Sequence, residues 1–142
     1  APRQTVLQPD EILKEIFIPE ISGRRGATYL KVGRRRAMEI AIVGVGVAIH
    51  LNGSDQVASK CRIALGSVAP TPLRARKAEG ILTGQEITDQ LIEEAAEVAA
   101  KEASPISDIR GGAEYRLDMI RVLCRRAARA ALARAQGKQV EV

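Results

Sequence analysis

Apolar residues along this chain follow two spacings, and the change from one to the other falls near residue 70. Before it, short apolar runs stop at turn residues. Residues 11–18 (Glu-Ile-Leu-Lys-Glu-Ile-Phe-Ile) run up to Pro19 and predict a strand, and residues 28–32 predict a second one, stopped by Gly33. Residues 40–51 form one long apolar run that ends in Asn52-Gly53, a hairpin turn signal. Val43, Val45, Val47 and Ile49 make one face of that run, and Ile42, Gly44, Gly46 and Ala48 make the other. The pattern predicts a strand buried on both faces, with a small-residue face that another element can approach closely. Residues 60–68 supply the returning strand.

After residue 70 the period lengthens. Ala69-Pro70-Thr71-Pro72 ends the sheet, and Pro72 suits the first turn of a short helix running to about Ala78. Gly80 and Gly84 flank a linker. Residues 88–102 predict an acidic amphipathic helix that turns Leu91, Ile92, Ala95, Ala96, Val98 and Ala99 inward and is closed by Pro105. After an irregular connector over 104–112, Leu117, Ile120, Cys124, Ala127 and Ala131 mark the inner face of a long helix from Ala113 to about Ala135, stopped by Gly137. Strands first and helices afterwards predict an α+β fold: an antiparallel sheet of about four strands followed by three helices packed on one face. Residues 1–142 read as a single domain, with strands in about 11–68 and helices in about 72–135.

Composition narrows the classes. A chain of 142 residues, 46% hydrophobic and 27% charged, has enough apolar surface for a core, which excludes global disorder. No window approaches the roughly 18 consecutive apolar residues of a membrane span. Secretion has no support from a leader, and an opening on Ala1 without Met suggests a piece of a longer or trimmed polypeptide. Cys61 and Cys124 are far apart on apolar faces, so they read as small core residues in a reducing cytoplasm. With His50 the only histidine, no nitrogen- or sulfur-rich metal cage can be built.

The charge, net +5, is uneven. Arg24, Arg25, Lys31, Arg34, Arg35 and Arg36 cluster with no acid among them, which suits a solvated surface, an anionic cofactor, an acidic partner or nucleic acid. Only Tyr29 is an aromatic neighbour, and single-strand binding wants stacking aromatics, which argues against nucleic acid. Gly44-x-Gly46 is no dinucleotide fingerprint, because Ile49 stands where the third glycine belongs. Glu86, Glu93, Glu94, Glu97 and Glu102 read as a solvated helix face. Arg121, Arg125, Arg126, Arg129 and Arg134 either complement their helix dipole or meet an acidic partner. Ser54 and Ser67 lack the histidine and the sharp turn of a hydrolase nucleophile.

Four stretches together resemble a known family. Tyr29-Leu30-Lys31-Val32-Gly33-Arg34-Arg35-Arg36-Ala37-Met38-Glu39-Ile40-Ala41 resembles the flavin-subunit signature of the molybdenum hydroxylases, the group of xanthine dehydrogenase and carbon monoxide dehydrogenase. Arg62-Ile63-Ala64-Leu65-Gly66-Ser67-Val68-Ala69-Pro70-Thr71-Pro72-Leu73-Arg74-Ala75 resembles the family's strand-to-helix crossing, and Ala78-Glu79-Gly80-Ile81-Leu82-Thr83-Gly84 its short helix and linker. Ser104-Pro105-Ile106-Ser107-Asp108-Ile109-Arg110-Gly111 with Ala113-Glu114-Tyr115-Arg116 resembles its connector and the start of its last helix.

The resemblance implies the C-terminal domain of the FAD-binding medium subunit, an α+β sandwich that closes a flavin pocket and has no catalytic residue or metal of its own. FAD is then held mainly by N-terminal domains absent from this chain. The molybdenum cofactor and the 2Fe-2S clusters sit in partner subunits, a large and a small one. Electrons pass from molybdenum through the 2Fe-2S clusters to FAD and on to an external acceptor. The residues implied to face the flavin are Lys31, Arg35, Glu39 and Ile40, with Glu39 able to restrain the Arg35 guanidinium. Glu39 stands where the family usually has Asp, and Met38 where members often carry a second acid, which leaves the acceptor open. The alternative is a stand-alone, non-catalytic module that binds nucleic acid or an acidic protein through its basic loop.

Overall fold

The computed structural model describes residues 2, 4–20, 22–35, 38–53 and 57–141. Its centre is β2 (Val43–Leu51), where Val43, Val45, Val47, Ile49 and Leu51 point into the core. β1 (Arg25–Val32) pairs with β2 on one side and β3 (Ala58–Gly66) on the other, both antiparallel, and β4 (Leu73–Arg74) closes the order β1-β2-β3-β4. The core lies between this sheet and three helices, α1 (Arg76–Leu82), α2 (Asp89–Glu102) and α3 (Ala113–Ala135).

Four expectations are corrected. Residues 11–18 belong to no strand and are exposed throughout, with Ile12 and Phe17 each more than four-fifths accessible. A strand exists only by pairing, and the fourth place in the sheet is taken by Leu73–Arg74 against Leu65 and Ala64. The short helix accordingly runs Arg76–Leu82 instead of from Pro72 to about Ala78, which puts Gly80 inside it and not at the edge of a linker. The second face of β2 carries no helix: Gly46 and Ala48 are half-buried, and Gly44 is covered by the Tyr29 ring of the neighbouring strand. The β2–β3 connection is also longer than a two-residue turn. Asn52 N–H reaches Val57 O at 3.1 Å across residues 54–56, and Ser54 lies outside the described residues.

Helix α3 lies very close to the sheet because both surfaces are small. Ala127, Ala128, Ala131 and Ala135 are buried along it, and a Cβ on Gly26 of β1 would stand 2.0 Å from Ala131 O. Arg134 then ties the helix end to β1 through Ala27 O (2.7 Å) and Thr28 Oγ1 (3.0 Å). Helices α2 and α3 run antiparallel with a ladder of ion pairs between them: Arg121 with Glu97, Arg125 with Glu93 and Arg129 with Asp89. With Arg134 and with Glu102, which caps α1, four of the five helix arginines and three of the glutamates read as a solvated face are therefore engaged inside the chain. Cys61 and Cys124 are buried, and burial pushes both thiols up to about 12, so they stay neutral.

β4 is only two residues long, and a carboxylate covers the edge of β3 where it fails. Glu79 on α1 accepts from Ile63 N–H (2.9 Å) and from Arg74 Nε and Nη2 (2.5 and 2.6 Å), with Arg62 at 3.6 Å. Glu102, at the end of α2, caps the α1 N-terminus by accepting from Lys77 and Ala78 N–H. Burial acts to raise the Glu79 pKa, but the Arg74 and Ile63 hydrogen bonds and the Arg74 and Arg62 charges outweigh it and leave the pKa lowered. Its contribution is complete above the ordinary glutamate range and lost as pH falls through the lowered value. Glu79→Gln is expected to cost about 2 kcal/mol at neutral pH and to flatten the acid limb of stability. Urea titrations of both forms at neutral and acidic pH check this, and equal midpoints throughout would refute it.

Candidate functional site

The ends of β1, β2 and β3 nearest α3's first turn carry two loops, and the candidate site lies between them. The first is the β1–β2 connection. Glu39 folds back over Gly33, where a Cβ would stand 1.2 Å from Glu39 Oε1, so only glycine leaves room for the carboxylate. Glu39 Oε2 accepts from Arg35 N–H at 2.6 Å, and the Arg35 guanidinium donates to Met38 O at 2.5 Å. Met38 sits in the left-handed region (φ 49°), which is strained for a side chain with a Cβ, and is almost wholly exposed. Arg36 and Ala37 lie outside the described residues.

The second loop is the connector between α2 and α3. Asp108 accepts from Arg110 N–H (2.8 Å), Arg110 Nη1 (2.9 Å) and Gly111 N–H (3.3 Å), which curls the chain and exposes Ile109 at the tip. The Arg110 N–H bond does most to hold the Asp108 carboxyl down to about 2. Burial opposes it, and the Arg110 and Arg116 side chains add to it. Arg34 Nη1 bridges the loops by donating to Ile109 O at 3.4 Å.

Between the loops is a cavity of about 520 Å³ lined by Arg34, Arg35, Met38, Glu39, Ile40, Ile109 and Arg110. Three of the four residues singled out from the sequence, Arg35, Glu39 and Ile40, come together here. Glu39 engages the Arg35 main chain, while the guanidinium is held by Met38 O. Lys31 lines a different hollow, of about 740 Å³, along the free edge of β1 beside Arg126, Arg129 and Val140. Ile109 and Arg110 were legible only as part of a family-like connector, because no local spacing brings residue 109 to residue 34. Among the described residues no cluster of His, Cys, Asp or Glu could hold a metal, and no helix is long and apolar enough to cross a membrane.

An antiparallel sheet with three helices on one face, and a cationic, apolar-walled cleft at one end, defines the class of domain. The family description of the CO dehydrogenase flavoprotein C-terminal domain matches residues 28–131, and this chain belongs to that family. It is 34% identical over 130 residues to the carbon monoxide dehydrogenase medium chain of Hydrogenophaga pseudoflava, covering 92% of this chain and 44% of that one. The nicotine 6-hydroxylase medium subunit of Paenarthrobacter nicotinovorans is 37% identical over 125 residues, covering 88% and 42%. The xanthine dehydrogenase FAD-binding subunit of Escherichia coli O157:H7 is 30% identical over 138 residues, covering 96% and 47%. The crystallised carbon monoxide dehydrogenase of Hydrogenophaga pseudoflava lacking the Mo-pyranopterin moiety superposes with a TM-score of 0.77 at 36% identity, over 82% of this chain and 40% of that chain. The chain thus spans less than half the length of these relatives.

The packing of Glu39 over Gly33 yields a direct test. Gly33→Ala is expected to expel the carboxylate and free the Arg35 N–H, so that hydrogen exchange at this amide quickens by about tenfold, the scale of one charge-assisted hydrogen bond. Exchange at the wild-type rate would show that the loop is held by something else.

Proposed function

We propose that this chain is the C-terminal domain of the FAD subunit of a molybdenum-containing hydroxylase or dehydrogenase, and that its two-loop cleft covers the flavin. The make-up of the cleft carries the reading: Met38, Ile40 and Ile109 offer apolar cover, and Arg34, Arg35 and Arg110 bring positive charge to the same opening. A flavin is a flat, largely apolar ring with an electron-rich edge, and this set of side chains fits both properties. The relatives are medium chains or FAD-binding subunits by name and are about twice as long. That supports FAD held mainly by N-terminal domains beyond these 142 residues, which themselves form one domain.

When bound, the flavin supplies the relay of electrons from 2Fe-2S clusters to an external acceptor. The residues of this chain act by position. Ile40 and Ile109 exclude water beside the ring, Glu39 keeps the Arg35 segment folded, and Arg35 holds positive charge nearby, with Lys31 acting at longer range. Positive charge close to a group that gains negative charge on reduction raises its potential. The partners are the rest of the FAD subunit, a large subunit with the molybdenum cofactor and a small subunit with the 2Fe-2S clusters. Two buried, free thiols fit a reducing cytoplasm.

The test is a redox titration of the complete enzyme. Lys31→Ala and Arg35→Ala are expected to lower the flavin potential and leave substrate binding at the molybdenum site unchanged. An unmoved potential in both removes the proposed role. FAD titrated into the isolated chain is expected to show no saturable binding in the micromolar range, because one wall of a pocket lacks the phosphate contacts. Tight stoichiometric uptake would mean that the main anchor is here.

The stand-alone reading has one observation in its favour. The helix-free sheet face carries Arg25, Lys31, Lys60, Arg62 and Arg74, and the four strands contain no Asp or Glu. Strongly salt-dependent binding to a generic duplex would support it over the flavin reading.

A further inference from the structure

The geometry points to Arg116 as the residue that sets the width of the cleft, with Asp108 as its partner: a positioning pair for the flavin environment. Arg116 stands in the first turn of α3 and is 3% exposed. Its guanidinium donates to Ile42 O (2.7 Å), Ser67 O (2.8 Å) and Asp108 Oδ1 (2.8 Å). The three acceptors belong to three separate segments. Ile42 ends the first loop two residues after Ile40, and Asp108 immediately precedes Ile109 and Arg110 in the second. Ser67 follows β3 in the left-handed region (φ 63°), an unfavourable conformation for serine that its carbonyl's bond to Arg116 helps to hold. Both walls of the cleft therefore hang from one side chain.

The chemistry explains why it is an arginine. Both terminal nitrogens of the buried guanidinium find acceptors while its Nε, also buried, finds none among the described residues, so the cost of burying the charge is offset only in the one arrangement that brings these three acceptors together. Its planar fork reaches acceptors in several fixed directions, which a lysine ammonium does not. Asp108, with its pKa near 2, stays charged throughout the neutral range, which makes the pair a permanent spacer.

This inference rests on the reading that the cleft faces the flavin, and two measurements separate the failure of one from the failure of the other. The first uses the chain alone. In Asp108→Asn, which keeps side-chain shape on a half-buried residue, exchange at residues 40–42 and 109–111 is expected to quicken together, by about tenfold. A response confined to 109–111 overturns the shared clamp. The second uses the complete enzyme. Asp108→Asn and Arg116→Lys are expected to keep FAD stoichiometric but to shift the flavin potential and visible spectrum. Ile120→Val, a core change on the same helix, is expected to lower the unfolding midpoint without either shift. If the pair's variants lose only stability, as Ile120→Val does, while Arg35→Ala moves the potential, Arg116 is structural and the inference fails. If Arg35→Ala also leaves the potential unmoved, the flavin reading falls and takes this inference with it. Should Arg116→Lys not fold, Asp108→Asn carries both measurements.

Discussion

The close seat of α3 on the sheet is the constraint from which the rest of the geometry follows. A helix with leucines at Ala127, Ala128 and Ala131 would stand farther off, and Gly26 could not meet the Ala131 carbonyl. Because the helix lies so low, its first turn passes directly under the ends of the strands, and Arg116 can reach main-chain carbonyls of Ile42 and Ser67 that a higher helix would leave to water. Small side chains at one end of a helix thus make possible a long, buried, charged one at the other. The close approach also draws dispersion contacts from main chain and small side chains, which suits a chain with a single phenylalanine and no tryptophan.

Charge is distributed by the same logic. Most acids that serve the fold lie on the helices: Glu79 faces arginines at the β3 edge, Asp89, Glu93 and Glu97 stand opposite the arginines of α3, and Glu102 accepts main-chain N–H groups at the α1 cap, while Asp108 in the connector pairs with Arg110 and Arg116. Exposed pairs of this kind contribute little each, about 0–1 kcal/mol, so the ladder sets helix register more than it adds stability. The sheet carries only cations, all on the face away from the helices. His50 records that field: burial lowers its pKa first, and Lys60, Arg25 and Arg62 lower it further. The positive face and the cationic cleft meet near the end of β1, where Lys31 and Arg34 are three residues apart.

Elements whose partners lie close in sequence, or whose faces are sharply periodic, were legible before any coordinates. The β2–β3 pair, α2 and α3 are of this kind, and Ala113–Ala135 agrees to the residue. Residues 11–18 have a strand's composition, but composition says nothing of a pairing partner, and within this chain the place is filled by Leu73–Arg74. Those two residues were hidden because a two-residue strand has no periodicity, and Pro72 pointed to a helix. The site divides in the same way. Arg35, Glu39 and Ile40 share one loop and so could be grouped from the sequence. Ile109 joins them only through folding, across 75 residues from Arg34.

Under the proposed flavin reading, the restraint of Arg35 bears on how the loop would act on a redox group. A guanidinium free in solvent would swing toward whichever charge state is more negative, and part of its electrostatic effect would be lost to reorganisation. Here the main chain of Arg35 is fixed by Glu39, its side chain by Met38 O, and the neighbouring Arg34 by Ile109 O. Charges held in place before an electron arrives stabilise the reduced form without first having to move, which is the condition under which a fixed dipole or cation is most effective. The longer glutamate at position 39 is consistent with this, since it must arch over Gly33 to reach the Arg35 N–H. On the proposed flavin reading, this domain would act on the redox group through cations whose main chain is held in place where they stand.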